Sequence, residues 1–297
     1  MRLSSVLTLV CSAAALVLSL LCLFAGNTKT FLQNGDLLTL NMSRLGYVGD
    51  VFNTTDGDGG FLDNLINDAQ DDLNDLINDA TTDIASALNI SDFYSVHVMD
   101  YCEGMFEPNS TLAAENGTKI RKNTTYCSRR NAFFHFNVTQ IVEAALPDQI
   151  NLTDINWPDA ITDAQNTIRT ASIATVILFV LGIIFTGLAL FGAIIGMFTT
   201  GRVSACFNVV LDFLAFLALV ISSVLVTIVI NKAVNALNKY GNDIGISATK
   251  GKLFLGMTWA ATALMFIAFA VSIVQLIMGR KDGRGQYISN MGMRQKF

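Results

Sequence analysis

The chain has 297 residues, of which 52% are hydrophobic and 14% charged, with a formal net charge of −5 and a mean hydropathy of +0.48. This composition is too apolar for an ordinary soluble domain of that length, and we expect no nucleic-acid partner. Four runs of about 20 apolar residues, the length that crosses a bilayer, predict a membrane protein with four α-helical spans.

The first apolar run covers residues 5–25 and follows a short segment, 1–4, that carries Arg2. A cleaved signal peptide is the alternative, since Ala25-Gly26 would suit a cleavage site. The run is longer than the usual 7–15 apolar residues of a signal peptide. We therefore predict a retained span, in which Cys11 and Cys22 are small packing residues.

Residues 26–170 form the predicted extracellular domain. They carry 21 of the 24 acidic side chains against 8 Lys and Arg, a net charge of −13. They also contain every N-x-S/T triplet of the chain, and such triplets are glycosylated on the lumenal or extracellular side. The predicted glycosylation sites are Asn41, Asn53, Asn89, Asn109, Asn116, Asn123, Asn137 and Asn151.

An acidic amphipathic helix is predicted over residues 61–88, where apolar residues recur at helical spacing and LINDA occurs twice. A helix that covers the rest of the domain is the favoured interpretation, with a docking face or a weak calcium surface as alternatives. The preceding DGDGG starts like a calcium loop. Phe61 and Asn67 stand where a glycine and a bidentate glutamate are needed, so no metal site is predicted.

Two strands are predicted as neighbours in one small sheet. Alternation in residues 92–102 places Tyr94, Val96 and Val98 on one face of a half-buried strand, and residues 132–139 form the second strand. The loop between them carries Asn109, Asn116 and Asn123, seven residues apart, and is expected to hold its sugars away from the sheet. His97 and His135, the only histidines, are expected at ordinary sheet or surface positions, with sensing of external pH as the alternative.

The five cysteines divide by compartment. Cys102 and Cys127 are the only pair in the extracellular domain, so we predict a disulfide that closes a loop of about 25 residues and contributes on the order of 3 kcal/mol. Cys206 lies at the cytoplasmic mouth of the third span. It is a candidate for reversible palmitoylation or, alternatively, a buried thiol.

The C-terminal half contains the other three spans. A helix that starts near Pro158 is expected to run into the second span, and Gly192 and Gly196 in that span permit close contact with another helix, within the chain or between copies. Asp212 is the only ionisable residue well inside a span, where a structural role, with Arg202 as a possible partner, is favoured over transport. The predicted segments are spans 173–198, 207–230 and 253–278, inner loop 199–206, outer loop 231–252 and tail 279–297.

Orientation follows from the sequons and from the five Lys and Arg of the tail, which place both termini in the cytoplasm. The four lysines of loop 231–252 disagree with this bias. They are expected to pack against the acidic extracellular domain or to remain solvated. No catalytic motif is present in the sequence, so we predict neither enzymatic activity nor a cofactor.

The layout of one span, a long outer segment with two cysteines, and three further spans resembles the claudin-like tetraspan superfamily. FYSVHVMDYCEG, YCSRRNAFFHFNVTQIVEAAL and LFLGMTWAATAL resemble, more specifically, the fungal family that unites cortical-patch (eisosome) proteins with the PalI pH-response regulator. The resemblance implies a small extracellular antiparallel sheet on a left-handed four-helix bundle, with Tyr101 as an aromatic anchor beside the disulfide. The tryptophan–leucine–tryptophan signature of claudins is missing, so a tight-junction pore is not expected.

This resemblance implies a plasma-membrane protein that organises cortical domains by lateral assembly and supports wall integrity and endocytosis. The implied partners are membrane lipids, further copies of the chain, wall polymers and cortical scaffold proteins. An accessory role in ambient-pH signalling is the main alternative. A channel or transporter subunit is a weaker one, because Asp212 alone supports it.

Overall fold

The computed structural model describes residues 2–43, 91–107, 121–131, 139, 159–198, 202–242 and 245–294. Several predictions lie outside these residues and stay predictions. They are the helix at 61–88, all but Thr139 of the strand at 132–139, His135, and the sequons at Asn53, Asn89, Asn109, Asn116, Asn137 and Asn151.

Four long helices dominate the described residues: α1 Arg2–Phe24, α2 Asp159–Phe198, α3 Arg202–Gly241 and α4 Lys252–Arg294. Each holds a stretch that is long and apolar enough to cross a membrane, which confirms the predicted multi-pass class. These stretches are Ser5–Phe24, Ser172–Gly196, Ser204–Lys239 and Lys252–Ile277. The prediction that a helix beginning near Pro158 continues into the second span is also confirmed, because α2 is unbroken from Asp159.

Much of the segment 231–252, which is predicted to form a loop, has regular secondary structure. Helix α3 has 40 residues and reaches Gly241, and at 1.5 Å per residue it is about twice as long as the hydrocarbon core is thick. Residues Ser247–Lys250 then form a β-strand. Of the four lysines in this segment, Lys232 and Lys239 therefore lie in α3, Lys250 ends the strand and Lys252 begins α4.

The helical unit comprises residues 1–23, 175–225 and 255–297. Its interior is lined by small side chains, among them Ala15, Ala215, Ala261 and Ala268, which are fully buried. Large apolar side chains point outward, and Phe191 and Phe207 are 64% and 62% exposed. Small residues allow helix backbones to approach closely in lipid, where no hydrophobic effect drives large side chains inward.

The second unit comprises residues 24–174 and 226–254 and contains a five-stranded antiparallel sheet of order β4-β3-β2-β1-β5. This confirms the expected small antiparallel sheet. Its core holds Leu40, Met42, Phe93 and Ile246, each at most 1% exposed. The strands are β1 Leu38–Asn41, β2 Phe93–Val96, β3 Tyr101–Glu107, β4 Arg121–Cys127 and β5 Ser247–Lys250.

The single strand predicted over 92–102 is wrong. Strand β2 ends at Val96, the amide of His97 donates to the carbonyl of Asp100 at 2.9 Å, and β3 returns from Tyr101. All four residues of β2 are buried. Their polar and apolar alternation does not mark a wet and a dry face, because other elements cover both faces of this central strand.

The predicted sugar-bearing loop also contains a strand, since Arg121–Cys127 pairs with β3. A bulge at Glu103/Gly104 adjusts the register. A side chain at Gly104 would collide with the backbone carbonyl of Asn123, so the close approach of β3 to β4 requires glycine here.

Candidate functional site: the polar core of the sheet

Lys122 on edge strand β4 reaches across β3 and β2 to β1. Its Nζ donates to Thr39 Oγ1 at 2.5 Å and to Ser95 Oγ at 3.2 Å, and lies 3.7 Å from the Asp36 carboxylate. The same ammonium group is 5.5 Å from the ring centroid of Phe93. Thr39 Oγ1 in turn donates to Asp36 Oδ2. We call these five residues the lysine clamp.

The lysine clamp is a charge pair set among buried side chains. Asp36 is 7% exposed and Lys122 27% exposed at the side chain. Burial lowers the pKa of Lys122, and the neighbouring Asp36 carboxylate opposes that effect. Removal of either partner would leave an uncompensated charge in a poorly hydrated site, a change that typically destabilises a fold strongly.

The disulfide joins Cys102 of β3 to Cys127 of β4, two residues that are also register partners in the sheet. Gln33 covers it, with Nε2 3.6 Å from Cys102 Sγ and 2.7 Å from the Thr28 carbonyl that accepts from it. Cys102 Sγ also lies 3.3 Å from the carbonyl oxygen of Gly26. The bridge therefore fastens the strand pair to the segment that follows α1.

A buried ionisable group of three residues lies beside this bridge. His97 and Asp100 are each 1% exposed, with His97 Nδ1 3.6 Å from Asp100 Oδ1. Arg130 Nε is 3.8 Å from Asp100 Oδ2, and its guanidinium lies 4.6 Å from the ring centroid of Phe24. We call His97, Asp100 and Arg130 the turn triad.

Burial shifts the pKa values of His97 and Asp100 in the directions that favour their neutral forms. Burial lowers the pKa of His97 from 6.5 to about 4. Burial raises the pKa of Asp100 from 3.8 to about 6, and Arg130 opposes that rise. Near neutral pH, His97 is therefore neutral and Asp100 is mostly an anion that faces Arg130.

Space around His97 depends on a glycine. Gly26 has φ of +77°, and a Cβ there would collide with the imidazole ring. Both ring nitrogens of His97 lack a hydrogen-bond partner among the described residues. The imidazole ring is therefore packed between the turn and the residues that follow α1.

His97 and Asp100 of the turn triad also lie near Cys102, and all three residue types can bind metal ions. Ligand atoms of His97, Asp100 and Cys102 all lie within 4.8 Å of one another. The sulfur of Cys102 is bonded to Cys127 and is not available as a thiolate. Two remaining ligands are fewer than the three or four that protein zinc sites use, so this arrangement fits an ion poorly.

A comparison with protein families gives one match, in which the SUR7/PalI family covers residues 4–271. The chain belongs to the SUR7/PalI family. Searches of curated proteins and of solved structures found no significant match. The family match extends over α1, the sheet, α2, α3 and most of the span in α4, so it includes both units and confirms the resemblance seen in the sequence.

The two described sequons of this SUR7/PalI family member differ in accessibility. Asn41 lies on β1 between two other strands, and its Oδ1 accepts hydrogen bonds from Ser43 N at 2.9 Å and Ser43 Oγ at 2.8 Å. Asn123 is exposed on edge strand β4, where its Nδ2 donates to Glu107 Oε1 at 2.6 Å. Asn123 is therefore exposed, whereas Asn41 is half-buried.

Tyr101 stands beside the disulfide, as the resemblance implies. Its ring centroid is 6.2 Å from that of Tyr94. Its carbonyl accepts from Ser128 N at 2.8 Å, and its amide donates to Ser128 Oγ at 3.0 Å. The residue therefore joins β3 to the segment that follows β4.

Of the two glycines predicted to permit close helix contact, Gly192 makes such a contact within the chain, and a contact of Gly196 between copies stays a prediction. A Cβ at Gly192 would lie 2.5 Å from Asn208 Oδ1 of α3, whereas nothing among the described residues lies within 4 Å of one at Gly196. Gly182 makes the second close contact, 2.8 Å from Leu219 Cδ2. The contact spacing is thus ten residues instead of four.

Asp212 and Cys206 are placed as follows. Asp212 is fully buried and accepts a hydrogen bond from Ser272 Oγ of α4 at 2.5 Å. The side chain of Arg202 lies outside the described residues, so a pairing with it stays a prediction.

Cys206 is exposed, which excludes the buried-thiol alternative and leaves palmitoylation as a prediction.

Sequence reasoning missed the lysine clamp entirely. In the sequence, residues 121–123 are all polar, so nothing distinguishes Lys122 from its neighbours. In the structure, the less exposed Lys122 alternates with the exposed Arg121 and Asn123, a period of two that marks opposite faces of a strand.

Proposed function

We propose that this family member is a plasma-membrane protein that organises cortical membrane domains of the eisosome type through lateral assembly of its copies. In this role it supports cell-wall organisation and the choice of endocytic sites. Family membership supports the proposal, because the family match covers residues 4–271 and so includes the strands of the sheet and most of the four spans. Other copies, lipids, wall polymers and cortical scaffold proteins are the partners it would use.

The observation that carries the proposal is that both predicted outward segments build one sheet. Strand β5 pairs with β1 from Leu38↔Lys250 to Asn41↔Ser247, and Gly251 N donates to Leu37 O at 2.8 Å. The disulfide and the lysine clamp tie the opposite side of the sheet together. A fixed outer surface of this kind suits repeated recognition of a neighbour or a polymer better than a loose loop, because less conformational freedom is lost on binding.

Live imaging tests the proposal on a C-terminally tagged copy expressed at its natural level. Static surface patches whose fluorescence recovers slowly after photobleaching are expected, with crosslinking of neighbouring copies inside them. A uniform surface signal that recovers quickly would contradict lateral assembly.

A matched pair of variants tests whether the sheet carries that behaviour. Lys122→Met breaks the lysine clamp, whereas Lys250→Met changes an exposed residue on β5. Only copies that are labelled from outside the cell are measured. Among them, Lys122→Met is expected to speed fluorescence recovery after photobleaching severalfold, whereas Lys250→Met is expected to leave it unchanged. Equal recovery in both variants would remove the sheet from the assembly mechanism.

The turn triad favours a second candidate, an accessory role in ambient-pH signalling. His97 and Asp100 have pKa values of about 4 and about 6, so acid changes the charges that face Arg130. Replacement of His97 by Gln is then expected to abolish the cellular transcriptional response to a pH shift while surface patches persist. An unchanged response in cells that lack the protein would exclude this role.

A further inference from the structure

The interior of the helical unit contains a carboxylate that is only half satisfied. Asp212 on α3 is fully buried; its Oδ2 accepts from Ser272 Oγ, while Oδ1 has no hydrogen-bond partner among the described residues. A buried charge with one hydrogen bond is unfavourable in protein and more so within a membrane. The geometry therefore demands something further at Oδ1.

Other side-chain oxygens without donors lie close along the same helices. Asn208 is one turn from Asp212 on α3, and its buried Oδ1 also has no partner in the described part of the chain. Residues at this spacing share a helix face, with Cβ atoms about 5–6 Å apart. Two acceptor oxygens of α3 therefore face one region of the interior.

Helices α1 and α4 bring hydroxyl groups to this region. Gln275 Nε2 of α4 donates to Thr8 Oγ1 of α1 at 3.4 Å, which aligns these two residues in depth. Ser272 is one turn from Gln275, and Ser12 is one turn from Thr8, in the same direction along antiparallel helices. Ser12 is fully buried, and its Oγ has no partner among the described residues.

Helix α2 closes the fourth side with backbone alone. A Cβ at Gly192 would lie 2.5 Å from Asn208 Oδ1, so only glycine leaves that oxygen its present position. Four helices thus surround a set of carboxylate, amide and hydroxyl oxygens. Oxygen donors of these kinds are the ones that hard cations prefer.

We propose that Asp212, Asn208, Ser272 and Ser12 form an intramembrane site for a small monovalent cation, a proton or Na⁺, held at Asp212 Oδ1. Either ion neutralises the carboxylate, and Na⁺ would in addition use the amide and hydroxyl oxygens. The site is independent of the proposed cortical function. The charge state of the helical unit would then depend on cation concentration, whereas that of the sheet would not depend on this site.

The test is carbodiimide labelling of the full-length protein in lipid nanodiscs. Dicyclohexylcarbodiimide enters membranes and adds across its C=N bond to a protonated carboxyl group, which leaves a stable acylurea that peptide mass spectrometry locates. Labelling is measured over a pH series with Na⁺ present or replaced by choline. Asp282, at the end of α4 beyond the span, serves as the internal comparison in the same digest.

Asp212 is expected to be labelled and Asp282 not. If Na⁺ is the ion, labelling falls as Na⁺ replaces choline at constant pH. If the proton alone binds, labelling ignores Na⁺ and falls about tenfold per pH unit above its titration point. Failure to label Asp212 at any pH without Na⁺, or labelling that depends on neither ion, would overturn the proposal.

Two glycine variants test whether Asn208 belongs to the proposed site. Gly192→Ala pushes on Asn208 Oδ1, whereas Gly196→Ala meets no described atom within 4 Å. Gly192→Ala is expected to shift the half-labelling pH or Na⁺ concentration severalfold, with Gly196→Ala like the wild type. Identical behaviour of both variants would remove Asn208 from the site and overturn the proposed set of ligands.

Discussion

The helical unit and the sheet are stabilised by opposite choices of side chain. In the helical unit, several buried hydroxyl groups bond to helix carbonyls, as Thr186 does to Gly182 O at 2.7 Å and Thr262 to Thr258 O at 2.9 Å. In the sheet, large apolar side chains fill the core and a lysine pairs with an aspartate across strands. Burial of a large apolar side chain is favourable when it leaves water, but brings no such gain when it leaves lipid, which is itself apolar.

This difference shows where each unit is vulnerable. Small residues in the helical unit keep helices close, so added volume is harmful only at contact positions. The sheet depends on long-range fasteners, namely the disulfide, the lysine clamp and the β1–β5 pairing. Substitutions of the same kind should therefore have very different effects in the two units.

The largest expected effect comes from a glycine pair. A Cβ at Gly251 would overlap with the carbonyl oxygen of Asp36, a backbone atom that cannot rotate away. Gly251→Ala should cost more than about 4 kcal/mol and detach β5 from β1. Gly256→Ala on α4 meets no described atom within 4 Å and should be neutral or slightly stabilising. Thermal unfolding of detergent-purified protein measures both; similar melting temperatures would contradict the contrast.

Loss of the disulfide comes next. Cys102→Ser should destabilise the sheet by about 3 kcal/mol and retain the protein in the endoplasmic reticulum. Cys206→Ser is the control, since that thiol is exposed and unbonded. Surface labelling distinguishes the variants, and normal delivery of the Cys102 variant would show that the bridge is dispensable.

His97 and Asp100 of the turn triad should contribute to stability with opposite dependence on pH. His97 has a pKa lowered from 6.5 to about 4, so its contribution is complete above pH 6.5 and is lost as the pH falls toward 4. Asp100 has a pKa raised from 3.8 to about 6, so its burial penalty is relieved as the pH falls through 6. Each term is at most about 3 kcal/mol, and the two nearly cancel in the wild type.

Single variants expose the separate terms. Between pH 7 and pH 4.5, Asp100→Asn should lose stability, because only His97 then responds. His97→Gln should gain stability over the same interval. Melting temperatures at both pH values check the signs, and a shift in the same direction for both variants would refute the assignment.

The smallest effect concerns glycosylation. Asn123→Gln should remove one glycan with little change in stability, since the residue is exposed on an edge strand. Asn41→Gln should remove less glycan than Asn123→Gln, because Asn41 is half-buried on β1 and its Oδ1 accepts hydrogen bonds from Ser43. Gel mobility before and after glycosidase treatment measures both. Loss of a glycan from the Asn41 variant would show that modification precedes formation of β1.

Length and hydropathy were sufficient to predict the four spans, and the partition of cysteines between compartments was sufficient to predict the pair that is bonded. The hairpin between β2 and β3 was missed because Ser95 and His97 look like outward-facing residues. They are buried by Lys122, 27 positions away from Ser95, and by the end of α1.

Strand β5 was missed for a related reason. The sequence SATK has no apolar alternation, and it is a strand only because β1 offers it hydrogen bonds. Gly196 makes no close contact among the described residues, because a four-residue spacing identifies one helix face and not which part of that face a neighbour within the chain reaches. Local pattern predicts elements well; partners distant in sequence decide which residues the elements bury.

The pairing of Asn41 with Ser247 determines when, during synthesis, the sheet can be completed. At about 5–20 residues per second, β1 is synthesised tens of seconds before its partner on that side. During this interval its hydrogen-bonding edge is open, and an open edge invites wrong partners and chaperones. The sheet can be completed only after the third span has been synthesised, so a complete sheet shows that β1 and β5 have reached the same side of the membrane.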